Sequence, residues 1–413
     1  MKNNVLLSAF LALMVFGCAG KKENLDLVHL ESEQAKAKAA KPSPAYLVQS
    51  VPEELTVALP NLALAQDTWI KLISASKSSI DIEQMYVSMQ TGEALDPVFT
   101  ALQAAANRGV KIRMILSKNM ITSDPAGLAQ MKTIKNIEIG VLDLKAMTGG
   151  IQHAKFWIFD HSKIFVGSQN FDWKALSQIH ELGVVVEDPT TTQRLDTIFA
   201  TDWEMAKTGK QPKTFLSAQT ILSDPTIDMS SSPAVLNPQG MPATIDVILG
   251  QIKSAKKSLQ IQVMDYNTSS SSTGSAWTEI DDALVDAAKR GVKVQLLVSH
   301  WNTTSHAIGA IKALQGKNGI EVRICTLPEH SKGFISYARV IHSKYMVIDS
   351  TRLWMGTSNW SRGYFYATRN TDFLFDRQAM ADEASQVFDV LWNAPFTEAV
   401  DANKAYPEPR KGS

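Results

Sequence analysis

The chain has 413 residues, 45% of them hydrophobic, which is enough for two domains with their own cores and excludes a disordered or fibrous chain. Lys plus Arg and Asp plus Glu stand at 41 each, so the balance excludes a uniformly basic nucleic-acid-binding chain but says nothing about a local basic groove. Two cysteines exclude a disulfide framework, and no His/Cys set has metal-ligand spacing, so neither a metal nor another cofactor is expected.

At the N-terminus a short basic start, Met1 to Asn4, precedes an apolar run from Val5 to Phe16, which is shorter than the roughly 20 residues a bilayer requires. Residues 1–17 therefore read as a signal peptide. Val15-Phe16-Gly17-Cys18 resembles a bacterial lipobox, in which Cys18 takes the lipid, and Ala19 after it points to the outer membrane of a bacterial cell envelope. The alternative is a plain cleaved leader with an incidental cysteine. Residues 18–54, rich in Lys, Glu, Ala and Pro, read as a flexible tether, with folded sequence from 55. Cys325 lies in the alternating stretch Glu321 to Cys325 and reads as a buried strand residue, not a nucleophile.

From there the pattern occurs twice. Residues 104–116, an Ala-rich helix closed by Gly109 and followed by a strand, recur as 286–298 with Gly291 in the same place. Ser79 to Met85 parallels Ser258 to Met264, each after a helical stretch, so strand, helix and strand repeat and predict parallel pairing through crossovers. Arg108 and Arg290 close helices, where a cation suits the dipole. Residues 207–241 carry four prolines among Ser, Thr, Asp and Gly and read as the linker between domains at 55–206 and 242–400, with 401–413 a tail. The expected fold is α/β: two duplicated α/β sandwich domains, each a mixed, largely parallel sheet flanked by helices, related by a pseudo-twofold axis.

A chemical motif is duplicated with the domain. His153, Lys155 and Asp160 are followed by Gly167, Ser168 and Asn170; His342, Lys344 and Asp349 are followed by Gly356, Thr357, Ser358 and Asn359. The offsets from His are 2, 7 and 17 in both copies. In an extended chain, residues two apart share a face, so each His and Lys point together. Each aspartate sits at a turn between two strands, and the hairpin returns each asparagine beside its histidine. Asp160 and Asp349 therefore read as structural, and Ser168 and Ser358 as supports of the asparagine loops.

The paired HxKxxxxD and GSxN pattern resembles the phospholipase D superfamily, most closely the branch of animal endolysosomal phospholipase D-like proteins. The similarity is strongest over residues 153–186, 337–347 and 356–364 and weaker over about 60–395. It implies phosphodiester cleavage in two displacements. One neutral imidazole attacks phosphorus to give a phosphohistidine, while the other protonates the leaving oxygen and then activates water. Lys155, Lys344, Asn170 and Asn359 hold the non-bridging oxygens. By family analogy His153 is the nucleophile and His342 the acid/base, although the motif itself is symmetric. Each histidine is expected to need a carboxylate on its other nitrogen, Glu181 for His153 and Asp372 for His342. A surface acid at a strand start is the duller reading of both.

The remaining histidines, among them His29, His161, His180, His300, His306 and His330, read as surface or packing residues. Trp157 and Phe159 read as core, and Trp173 and Trp360 as core or substrate-facing. The favoured function is hydrolysis or transfer of phospholipid phosphodiesters by a membrane-anchored enzyme. The alternatives are a metal-independent exonuclease on single-stranded DNA or RNA, which needs a basic, aromatic-lined groove, and an inactive binding or scaffold protein, which two complete motifs disfavour. The acceptor, the head group and the oligomeric state stay open.

Overall fold

The computed structural model describes residues 44–268 and 276–412; the leader, Cys18, His29 and most of the tether lie outside them. Two eight-stranded sheets carry the fold. From edge to edge the first runs Ala63–Leu64, Ala45–Ser50, Glu181–Val186, Lys163–Gly167, Phe156–Phe159, Ser79–Gln84, Lys111–Ser117 and Ile137–Leu142. The second runs Ile227–Ser232, Asn370–Phe375, Arg352–Gly356, Tyr345–Ile348, Ser258–Val263, Lys293–Ser299, Glu321–Cys325 and Thr397–Ala399. Seven strands correspond one to one in the two halves, among them those of the sequence repeat.

Pairing is more antiparallel than the repeat alone suggested. Ser79–Gln84, Lys111–Ser117 and Ile137–Leu142 are parallel neighbours joined by helical crossovers, as are Ser258–Val263, Lys293–Ser299 and Glu321–Cys325. The motif hairpins and the strands beyond them pair antiparallel. The tight turn of each motif forces its two strands antiparallel, and helical crossovers return the parallel ones; the short parallel pair of Ala45–Ser50 with Ala63–Leu64 is joined by a loop. Two boundaries also move. Ala45–Ser50 is a strand of the first sheet, inside the expected tether, and Ile227–Ser232 is the matching edge strand of the second, inside the expected linker.

Three apolar layers follow from the two sheets. The outer face of the first sheet is covered by the helices Ala65–Ala75 and Asp96–Asn107, and that of the second by Thr244–Ser254 and Glu279–Lys289. The inner faces share one core, into which Pro189–Thr208 sends Leu195, Ile198 and Phe199, and Gln378–Trp392 sends Val387, Phe388 and Leu391. The two halves are thus joined by a continuous buried core drawn from both. Arg108 closes its own helix through its backbone amide, and its guanidinium also donates to the carbonyls of Ile73, Ser74 and Ser76 at the end of the preceding helix. Arg290 does the same for Ile252 and Lys253.

The motif aspartates clamp those same helix ends to the hairpins. Asp160 and His161 have φ of 49° and 50°, and Asp349 and Ser350 have 53° and 57°, the left-handed pair of a type I′ turn. From that turn the Asp160 carboxylate accepts the amides of Lys77, Ser78 and Ser79 at 2.8, 2.7 and 2.9 Å, and Asp349 accepts those of Lys256, Lys257 and Ser258. They tie a neighbouring segment rather than their own turn. These bonds hold Asp160 at about 2, below its ordinary value of 3.8 despite partial burial.

Asp160→Asn keeps the left-handed preference of the turn but presents an amide donor to the Lys77 amide. It is expected to lower unfolding free energy by about 1–3 kcal/mol in urea denaturation. The folded-state value is depressed, so the clamp's contribution is complete above 3.8 and lost as pH falls through about 2; the variant lacks that component.

Candidate active site

The two motifs meet where the halves join. His153 and Lys155 lie in an extended stretch just before Phe156–Phe159, and His342 and Lys344 stand likewise before Tyr345–Ile348. Gly167 and Gly356 donate their amides to the carbonyls of Lys155 and Lys344, which extends each hairpin to the lysine. Both histidines and both lysines are buried, as are Asn170 and Asn359. His153, His342, Asn170 and Asn359 line a single cavity of about 420 Å³. The Lys155 ammonium donates to the His153 carbonyl at 2.6 Å, and Lys344 to that of His342.

Each histidine is held by the other half. The His153 amide donates to the Arg369 carbonyl at 3.0 Å, and the His342 amide to the His180 carbonyl at 2.9 Å. The side chains cross in the same way. His342 Nδ1 meets the Glu181 carboxylate at 2.8 and 2.9 Å, and His153 Nδ1 meets Asn370 Oδ1 at 2.9 Å. Glu181 therefore serves His342, not His153 as expected. Asn370 takes the place expected of a carboxylate. Both first-strand residues stand 28 positions after the histidine of their own half, and that spacing was the signal that could have found Asn370.

Asp372 is not a histidine partner. It stands 30 positions after His342, where the first half has Gly183, and it faces Gly356 in the adjacent strand. Its carboxylate accepts the amides of Thr357 and Ser358 at 3.0 and 3.1 Å and the hydroxyls of Ser358 and Thr244, both at 2.8 Å. It braces the loop that presents Asn359, and burial pushes it up to about 6. In the first half, Ser168 exchanges hydrogen bonds with the backbone of Leu182 instead.

The partners fix the tautomers. Asn370 Nδ2 donates to the carbonyls of Tyr364 and Thr368, at 3.0 and 3.2 Å, so its oxygen is the atom turned to His153. That oxygen requires a proton on His153 Nδ1, and the Glu181 carboxylate requires one on His342 Nδ1. Both Nε2 atoms are left with lone pairs when the rings are neutral. Burial drives His153 well below its ordinary 6.5, helped by Lys155 and Lys344. Burial likewise brings His342 to about 4, with Glu181 pulling upward against it. Lys344 falls to about 7, chiefly by burial, and Lys155 falls well below its ordinary value.

Two buried charges outside the motifs steady this junction. Arg369 is fully buried; it pairs with Asp202 of the first half at 2.8 Å and donates to the Leu236 carbonyl. Burial and the Asp202 carboxylate push Glu83 well up, and the Gln152 amide donates to it at 2.9 Å. His180, at the position matching Arg369, is buried and brought to about 4. Cys325 is buried in its strand with a thiol raised to about 12, in keeping with a packing role. Trp157, Phe159 and Trp360 are buried core residues, and Trp173 packs partly buried against the first-half core. Asp81, His161 and Asp196 approach one another, but Arg113 grips Asp81 at 2.6 and 2.7 Å and His161 pairs with Asp196 at 2.8 Å, so ion pairs account for the group.

The family model described as "Cardiolipin synthase, PLD-like domain" matches residues 69–203 and 248–392, one copy in each half. A probable phospholipase D of Caenorhabditis elegans is 32% identical over 390 residues, covering 86% of this chain and 70% of that protein. The 5'-3' exonuclease PLD3 of Rattus norvegicus is 30% identical over 445 residues, covering 97% of this chain and 90% of the other. Phosphatidylserine synthase of Haemophilus influenzae has a similar fold, with a TM-score of 0.59 at 11% identity over 81% of this chain and 85% of that one. The chain belongs to the phospholipase D superfamily and is a phosphodiesterase of that superfamily.

Glu181→Gln removes the one negative charge facing His342, so the proton on His342 Nε2 is held less tightly. In an NMR pH titration, His342 of the variant is expected to protonate below about 4, and His153, which faces Asn370, to shift less.

Proposed function

We propose that this member of the phospholipase D superfamily is an exonuclease that cleaves single-stranded nucleic acid through a phosphohistidine. The observation that carries the reading is the cavity wall. Tyr86, Trp301, Tyr337 and Tyr364 surround the histidines, with Lys174 beside them and the Lys411 ammonium 5.3 Å from the Trp301 ring centre. That is the aromatic and cationic lining that stacking and backbone binding of a single strand require. The relatives named 5'-3' exonuclease, aligned over nearly the whole chain, support the same reading.

The second reading, phospholipid hydrolysis, has its own observation. Met85, Met120, Met264 and Ile179 line the same cavity, and such flexible apolar side chains suit acyl or glycerol groups. A lipid anchor at Cys18, holding the enzyme at a bacterial envelope membrane, is compatible with either substrate.

The steps follow from the partners. His153, whose Nδ1 faces a neutral amide, stays unprotonated on Nε2 and attacks phosphorus. His342 faces a carboxylate that stabilises its imidazolium, so it donates the proton to the departing oxygen. The P–O bond breaks as the N–P bond forms. His342 then takes a proton from water, whose oxygen displaces His153 and releases the phosphate product. Lys155, Lys344, Asn170 and Asn359 hold the non-bridging oxygens as charge shifts onto them.

The test offers the purified chain, with chelator present, a single-stranded oligonucleotide and mixed phospholipid vesicles. Nucleotide release that falls at least about 10²–10⁴-fold in both His153→Ala and His342→Ala is expected. Head-group release without nucleotide release would sink the nuclease reading, and activity surviving both substitutions would sink the mechanism. The expected kcat/KM profile declines as pH rises through about 7, because Lys344 loses its charge there and His342 is ever less protonated.

A further inference from the structure

The residues beyond the last strand do not trail away from the fold. They form a strap across the second half and end at the mouth of the cavity. The Pro407 carbonyl accepts the Thr303 hydroxyl at 2.8 Å, and Glu408 accepts the Ser305 amide at 2.7 Å. The Arg410 guanidinium lies 3.7 Å over the Phe334 ring, and the Lys411 carbonyl accepts the Tyr337 amide at 2.6 Å. The strap thereby carries Lys411 onto Trp301, whose ring meets Tyr337 edge to face at 6.4 Å and 85°.

Tyr337 is the unusual member. Its φ is 55°, a left-handed conformation that a bulky side chain rarely adopts, and the residue is 56% exposed while lining the cavity. Arg339, two residues on, also has a positive φ of 52°; its amide donates to the Gln178 carbonyl, and its guanidinium to those of Pro328 and Glu53. The loop is held at both ends in a shape its residues do not favour, and the result is an aromatic ring left facing solvent beside the histidines. Core packing does not account for an exposed ring held in this way; a ligand that stacks does.

We infer that Tyr337, presented by the strap, is the stacking platform for a base of the substrate, and that the Lys411 ammonium takes a phosphate one nucleotide from the one cleaved. The inference rests on the nuclease reading above and deepens it. It makes the enzyme a reader of at least two nucleotides, and it gives residues 407–412 a part in substrate binding instead of that of a tail.

The test compares three substrates in the full chain: a single-stranded oligonucleotide, bis(p-nitrophenyl) phosphate, which has neither base nor second phosphate, and phospholipid vesicles. Tyr337→Ala is expected to lower oligonucleotide kcat/KM about 10–100-fold, mainly through KM, with a clearly smaller fall on bis(p-nitrophenyl) phosphate. Tyr337→Phe keeps the ring and is expected to keep the rate. Lys411→Ala is expected to weaken oligonucleotide binding for all sequences and to reduce the slope of log K against log salt by about 0.7. An unchanged oligonucleotide rate in Tyr337→Ala and Lys411→Ala, or an equal fall on the small diester, overturns the inference while leaving the nuclease reading intact. A wild-type chain that cleaves vesicles and not the oligonucleotide overturns both.

Discussion

The structure depends on one exchange: each half supports the histidine of the other. A buried imidazole needs its Nδ1 bound, and a fully buried carboxylate such as Glu181 needs a positive or donating partner. Neither half satisfies these requirements alone. Separated, the first half leaves Glu181 without His342 and His153 without Asn370. The shared core between the sheets and the buried Arg369–Asp202 pair are therefore not merely adhesive. They set the register at which the four side chains meet, and the backbone bonds from His153 to Arg369 and from His342 to His180 fix that register within a hydrogen-bond length.

Duplication supplied two copies of one scaffold, and divergence at two equivalent pairs of positions made the copies unequal. Glu181 faces Asn370 in the comparison, and Gly183 faces Asp372. At the first pair one half carries a charge and the other an amide, so one histidine can hold an extra proton with electrostatic support and the other cannot. At the second pair one half has a glycine and the other an aspartate. That carboxylate occupies space beside Gly356, where a side chain on the glycine would collide with it at 2.2 Å, and it stiffens the second asparagine loop. The backbone remains nearly twofold while the chemistry does not.

Much of this was legible in the sequence. The repeat and the offsets within each motif could be read because they are local or periodic; Asp160 and Asp349 read as structural, but the segments they hold lie far away in the chain and were not legible. What escaped was whatever depends on contact between the halves. Asn370 was not legible because a histidine partner is ordinarily a carboxylate and Asp372 lies two residues on; the 28-residue spacing that Asn370 shares with Glu181 outweighs residue type. Ile227–Ser232 read as linker because three serines are poor strand formers on their own. They are buried because the Ser231 hydroxyl donates to the Asn370 carbonyl and that of Ser232 to the carbonyls of Tyr364 and Thr368. Ala45–Ser50 adjoins tether-like sequence, and only its pairing with Glu181–Val186 makes it part of the sheet.

The same crossing explains how so crowded a set of basic groups is accommodated in a buried site. Two lysines and two histidines converge with two carboxylates: Glu181 interacts with both lysines and His342, and Asp265 with Lys344. Full ionisation of every nitrogen in a buried site would cost far more than these carboxylates could offset. The site instead gives up protons, with both histidines neutral and the lysines held below their ordinary values. A phosphodiester brings a negative charge to the centre of that cluster and reverses the balance. Its arrival favours protons on the lysines and on His342, by the reciprocity of linkage, while His153 keeps the lone pair that attacks. The cluster's own charges are thus balanced short of full ionisation, and the anion it cleaves supplies the missing charge.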